Sequence, residues 1–164
     1  MYLENFHFIN INTLIIMQGE YEMAERKLQT NNHCKNLIMY HLIFVCKYRR
    51  KVFSNHDFAE ELKLQISEVA KRYDFQIDTI DLDYSKPDHI HILIRSVPKL
   101  SPLQIVRVLK QQTTFWAWQK FDSYLKKFYW RGKHLWTRGY FCSTVGNVSA
   151  ETVHKYLEKQ GRNE

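Results

Sequence analysis

The segment Asp88-His89-Ile90-His91-Ile92-Leu93-Ile94-Arg95 sets two imidazoles two positions apart in an otherwise apolar run. Successive side chains of a β-strand point to opposite faces, so His89 and His91 share one face while Ile90, Ile92 and Ile94 share the other. Imidazoles one pleat apart can each offer a ring nitrogen to the same cation. The same pattern also answers to two half-buried histidines satisfied by hydrogen bonds. A second pair lies near the C-terminus: Tyr156 and Gln160 are one helical turn apart, at the edge of an apolar stripe of Ala150, Val153 and Leu157. A tyrosine in such a place is commonly packing and a glutamine commonly solvated. Together with the histidines they provide a phenol nucleophile and an oxygen ligand, a set that suits phosphoryl transfer at a metal. Asp88, beside the first histidine, fits either the orientation of a ligand or the turn after Pro87.

The elements that must position these groups follow from periodicity. Leu37 to Lys47 is a nearly unbroken apolar run and predicts a buried strand. Phe58, Leu62, Ile66, Val69 and Tyr73 recur at helical spacing after a Ser54-Asn55 cap. Phe75 to Tyr84 alternates as a second strand, Ser85 to Asp88 turns, and His89 to Val97 is a third strand. Ser101-Pro102 starts a helix that runs to about Phe121. Tyr140 to Val145 is a fourth strand, Gly146-Asn147 breaks the pattern, and Ser149 caps a last helix that carries Tyr156. The order β-α-β-β-α-β, followed by that helix, predicts an α+β, ferredoxin-like fold: an antiparallel sheet with two helices on one face and the other face free for a site. Residues 1–32 differ from the rest and are expected to be an N-terminal extension, with one domain over residues 33–164.

The chain has 164 residues, a formal net charge of +7 and an aromatic share of 15%. This balance points to an acidic partner, and single-stranded nucleic acid is the natural one, because bases stack on aromatic rings while Lys and Arg meet phosphates. Basic residues fall in three clusters. Lys47, Arg49, Arg50 and Lys51 follow the first strand, and Arg107 and Lys110 lie on the second long helix. Arg131, Lys133 and Arg138, with Lys126 and Lys127, surround Tyr129, Trp130 and Trp136. Three clusters in one small domain favour phosphate contacts over solvated faces. The three cysteines form no CxxC pair and no even disulfide framework, so cytoplasmic thiols are expected. No segment has the length of a membrane-spanning helix.

The stretches YHLIFVCKYRRKVF (40–53), DHIHILI (88–94), HLWTRGYFCSTVGNVS (134–149) and ETVHKYLEKQ (151–160) resemble, in order and without a large gap, the TnpA transposases of small bacterial insertion sequences. These are the single-tyrosine group of the HUH nuclease superfamily. The resemblance covers about Asn31 to Gln160 and leaves the first thirty residues without a counterpart, so Met23 is an expected alternative start. It implies that His89 and His91 are metal ligands, that Gln160 is the third ligand and that Tyr156 is the nucleophile. It further implies Mg²⁺ or Mn²⁺, a single-stranded DNA substrate with a hairpin, and a homodimer in which the tyrosine helix of one subunit completes the other's site. Gly146 would be the hinge of that helix, although some relatives have a glycine pair there. The apolar first strand is then a candidate for joining two sheets edge to edge. Two alternatives remain at this point. One is a nuclease of the repeat-associated type domesticated by its host. The other is a non-enzymatic RRM-like RNA-binding module, which shares the element order but would call for RNP-type aromatics where the histidines stand.

Overall fold

The computed structural model describes residues 29–31 and 34–144. A short antiparallel hairpin comes first, β1 (Gln29–Asn31) with β2 (Cys34–Asn36). It spans the point where the sequence places the start of the domain. The body follows in the expected order: β3 (Ile38–Val45), α1 (His56–Arg72), β4 (Gln76–Leu82), β5 (His89–Ser96), α2 (Pro102–Lys120), the four-residue α3 (Asp122–Leu125) and β6 (Phe141–Thr144). Four of the strands make one antiparallel sheet in the order β4-β5-β3-β6. Each long helix connects two strands that are separated by a third. This is the predicted ferredoxin-like α+β topology.

Strand β3 is not the seam between sheets expected from its apolar run. β3 lies inside the sheet, with β5 hydrogen-bonded along one side and β6 along the other. Both of its backbone edges are taken, so it cannot join a second sheet edge to edge. Its apolar run reflects a strand buried on both faces. Among the described residues the outer strands of this sheet are β4 and β6.

Both long helices start at side-chain caps. The Asn55 carboxamide accepts the Phe58 N–H at 2.9 Å. At α2, Ser101 Oγ accepts the Gln104 N–H while the Gln104 side chain accepts the Ser101 N–H, a capping box followed by Pro102 in the first helical position. The helices lay Phe58, Leu62 and Ile66 of α1 and Ile105 and Leu109 of α2 against Leu42 and Phe44 of β3 and Ile90, Ile92 and Ile94 of β5. All of these side chains are fully buried. No helix among the described residues is long and apolar enough to cross a membrane.

Ile92 stands at the centre of this packing and holds β5 to the helices from the side opposite the histidines. Ile92→Ala is expected to cost about 2–5 kcal/mol by lost burial and a residual cavity. The urea midpoint checks this; a change within about 0.5 kcal/mol would mean that the helix layer does not anchor β5.

Candidate active site

The pleat of β5 turns His89 and His91 away from the helices, and their ring centroids are 5.2 Å apart. Both rings are buried. Their neighbours across the strands are Val45 and Ile43 on β3, and Asp81 of β4 stands opposite His91. Two places along β3 from Ile43, on the same face, His41 stacks on His91 with a centroid distance of 5.2 Å. His41 Nε2 and His91 Nδ1 share a hydrogen bond of 3.0 Å. His41 and Asp81 are the members of this face that the sequence alone does not single out. The odd-numbered parity of 41, 43 and 45 is the signal for His41, and it becomes readable only once the register with β5 is known.

His89 is held differently. Its Nδ1 meets Asp88 Oδ1 at 2.8 Å, and Asp88 Oδ2 accepts Arg49 Nε at 2.7 Å. Asp88 therefore orients a ring and is more than a turn residue. His89 Nε2 is buried and has no hydrogen-bond partner. A buried, unsatisfied imidazole nitrogen is costly unless something else meets it. The turn that brings Arg49 to Asp88 has Tyr48 at φ 58° and Arg49 at φ 53°, the left-handed region, which costs roughly 1–2 kcal/mol per non-glycine residue.

Burial governs the protonation of these groups. It lowers the His41 pKa to about 4, and it drives His91 well below the usual imidazole value, helped by the neighbouring His89 and His41. Burial alone would raise the Asp88 carboxyl, but the His89 hydrogen bond and the Arg49 guanidinium outweigh it and hold the group below its ordinary value. Burial thus keeps the His41 and His91 rings neutral, the form of imidazole that can ligate a metal, while the Asp88 carboxyl beside His89 is an anion.

The basic residues divide between two clefts and the site itself. Lys47, Arg107, Lys110, Lys133 and Arg138 line a cleft of about 850 Å³ between α2 and residues 133–140. Within it, the Lys110 ammonium donates to the carbonyls of Thr137, Arg138 and Gly139, so it ties the loop to the helix. Trp136, expected at the DNA surface, is only 7% exposed: its ring packs on Phe44 and Phe53 and its Nε1–H donates to Thr113 Oγ1. It is a core residue, which corrects its assignment as a contact. Arg50 and Arg131 line a second cleft, of about 490 Å³, with Tyr48, Phe128, Tyr129 and Trp130. There the Arg50 guanidinium lies 5.4 Å from the centre of the Trp130 ring, which is 74% exposed. Lys51 is exposed on the same connection, and Arg49 points to Asp88.

Comparison with known proteins names the family. The profile of the family described as "Transposase IS200 like" matches residues 34–160. The protein belongs to the IS200-like transposase family. The transposase for insertion sequence element IS200 of Salmonella typhimurium is 30% identical over 131 residues, covering 80% of this chain and 79% of that protein. The ISDra2 transposase TnpA of Deinococcus radiodurans is 31% identical over 123 residues, covering 74% and 82%. A crystal structure of a candidate transposase from Deinococcus radiodurans R1 superposes with a TM-score of 0.71 at 25% identity, covering 81% of this chain and 98% of that one. The family assignment replaces the RNA-binding-module alternative with an enzyme that acts on DNA.

In this transposase the donor set suits a divalent cation at two points: the unpartnered His89 Nε2 and the neutral His91 ring. Among the described residues no third His, Cys, Asp or Glu joins them in a ligand set. Gln160, the expected third ligand, lies outside the described residues, as do Tyr156 and Gly146.

The depressed histidines set a pH dependence. Below about pH 6.5 the unfolded chain binds protons at these imidazoles, whereas folded His41 resists protonation until about 4. The unfolded state then carries more protons, so the stability of the metal-free transposase should be complete above about pH 6.5 and fall as pH drops toward 4. Thermal midpoints across that window check this, and His41→Gln should flatten the slope. A midpoint that stays level from pH 6.5 to 4 would contradict the account.

Proposed function

We propose that this transposase binds single-stranded, hairpin-bearing ends of an insertion sequence, cuts them through a covalent link to Tyr156, and rejoins the strands. The observation that carries the reading is the buried His89 Nε2, left without a partner beside His91 on the sheet face away from the helices. His89 and His91 would hold a divalent cation with the Gln160 side-chain oxygen. A Mg²⁺ or Mn²⁺ ion bound there supplies Lewis-acid polarisation of the scissile phosphate. Two imidazole ligands suit Mn²⁺ somewhat better than Mg²⁺, which prefers oxygen.

The Tyr156 phenolate oxygen attacks the phosphorus in line, and the bond from phosphorus to the 3′-oxygen breaks. The 3′-oxygen leaves and takes up a proton as a free hydroxyl, and the phosphate stays on the tyrosine as a 5′-phosphotyrosine. A different 3′-hydroxyl then attacks that phosphorus, loses its proton and releases the phenol. The bond energy is conserved in the link, so rejoining needs no nucleotide cofactor. The basic clefts supply phosphate contacts, and the exposed Trp130 ring offers a stacking surface beside Arg50.

One tyrosine cuts one strand at a time, whereas an element has two ends. A homodimer would supply the second site, with Gly146 as the hinge of the segment that carries Tyr156. Mixing a Tyr156→Phe subunit with a His89→Ala, His91→Ala subunit tests this assembly. Shared sites would restore cleavage of single-stranded ends in Mn²⁺, with the DNA linked only to the histidine-substituted chain. A mixture that stays inactive would mean that each site is built within one subunit. Tyr156→Phe alone should form no denaturant-stable adduct and keep hairpin affinity within a few-fold; adducts from that variant would exclude Tyr156 as the nucleophile.

A further inference from the structure

We propose that Arg49, although it belongs to the basic run after β3, is a positioning residue for His89 that acts through Asp88; the inference rests on reading His89 as a metal ligand. The two carboxylate oxygens of Asp88 have separate tasks: Oδ2 accepts Arg49 Nε at 2.7 Å and Oδ1 meets His89 Nδ1 at 2.8 Å. A carboxylate held at both oxygens cannot rotate without breaking a charge-assisted bond. It therefore fixes the imidazole plane and selects the tautomer with the proton on Nδ1. The lone pair is then on Nε2, the nitrogen that is buried and unpartnered.

The backbone is built to deliver the guanidinium to that place. Tyr48 and Arg49 adopt left-handed φ values, and the turn is tied by Arg49 N–H to the Cys46 carbonyl at 2.9 Å and Lys47 N–H to the Leu135 carbonyl at 2.8 Å. The Asp88 end is fastened to the same corner, by Cys46 N–H to the Asp88 carbonyl at 2.7 Å and Phe53 N–H to the Pro87 carbonyl at 3.0 Å. The adjacent Arg50 lies over the Trp130 ring instead. Neighbouring arginines of one basic run thus have different duties, one toward the histidine and one toward the outer cleft. The corner also joins the cleft lined by Tyr48 and Arg50 to the ligand, so the same turn holds both.

The test uses the full chain without DNA. Long-range ¹H–¹⁵N spectra report the tautomer of each histidine ring, and calorimetry reports Mn²⁺ affinity. Wild type should show His89 as the Nδ1–H form. Arg49→Gln should lose that preference and bind Mn²⁺ about tenfold more weakly. Asp88→Asn should weaken it at least as much, and the double variant should lose little more than Asp88→Asn alone. Thermal melts check folding. Should Arg49→Gln not fold, Arg49→Lys keeps the cation without the planar fork and should shift both readouts in the same direction. A folded Arg49 variant with unchanged tautomer and Mn²⁺ affinity, weakened only in DNA binding, would overturn the proposal. If His89→Ala binds Mn²⁺ as wild type does, the metal-ligand reading falls and takes the proposal with it. If His89→Ala loses binding while the Arg49 variants keep it, the positioning role alone falls.

Discussion

Alternation along β5 places Ile90, Ile92 and Ile94 in the core and His89 and His91 on the opposite side of one backbone. Fully burying an isoleucine side chain is worth roughly 1.5–3 kcal/mol, so the three together pin the register. A slip of one residue would press two imidazoles into the helix layer and turn the isoleucines outward. Much of the fold can be understood as support for this strand. β3 and β4 satisfy its hydrogen bonds on either side, and α1 and α2 cover the isoleucine face. Because that packing is on the far side of the sheet from the histidines, the site can be polar without opening a hole in the core.

The polar side has its own constraint. Burying imidazoles disfavours their charged form, which keeps His41 and His91 neutral. Each ring then needs a defined hydrogen-bond partner. His91 and His41 share one bond, and His89 Nδ1 meets Asp88, an anion balanced by Arg49. These partners come from β3, from the turn after it and from the residue immediately before β5. The active face is thus assembled by the sheet register and by one strained turn, which links the site to the basic segment that follows β3.

The fold was legible because its signals are local. The 3.6-residue stripe of α1, the Ser101-Pro102 start of α2 and the alternation of His89 to Arg95 each identify an element without knowledge of the others. The HxH pair was legible for the same reason. His41 was not, because a histidine in an apolar run acquires meaning only when β3 is set beside β5. Trp136 was misread because clustering with Lys133 and Arg138 in sequence does not say which way a ring points; its indole is drawn inward by Phe44, Phe53 and the Thr113 hydroxyl. Arg49 looked like its neighbours in composition, and only the left-handed turn separates it from them. The apolar run of β3 suggested a seam between sheets because a strand buried on both faces and an adhesive edge have the same composition.

The proposed role of His89 and His91 is to serve a phosphoryl transfer to Tyr156. The most direct measurement is mass spectrometry of the covalent product, after incubation with single-stranded element ends in Mn²⁺ followed by nuclease and protease digestion. Transfer to Tyr156 would leave one modified peptide, from residues 151–160, with a nucleotide 5′-phosphate on the Tyr156 oxygen. A nucleotide on any other side chain, or strand cleavage with no linked peptide, would contradict it.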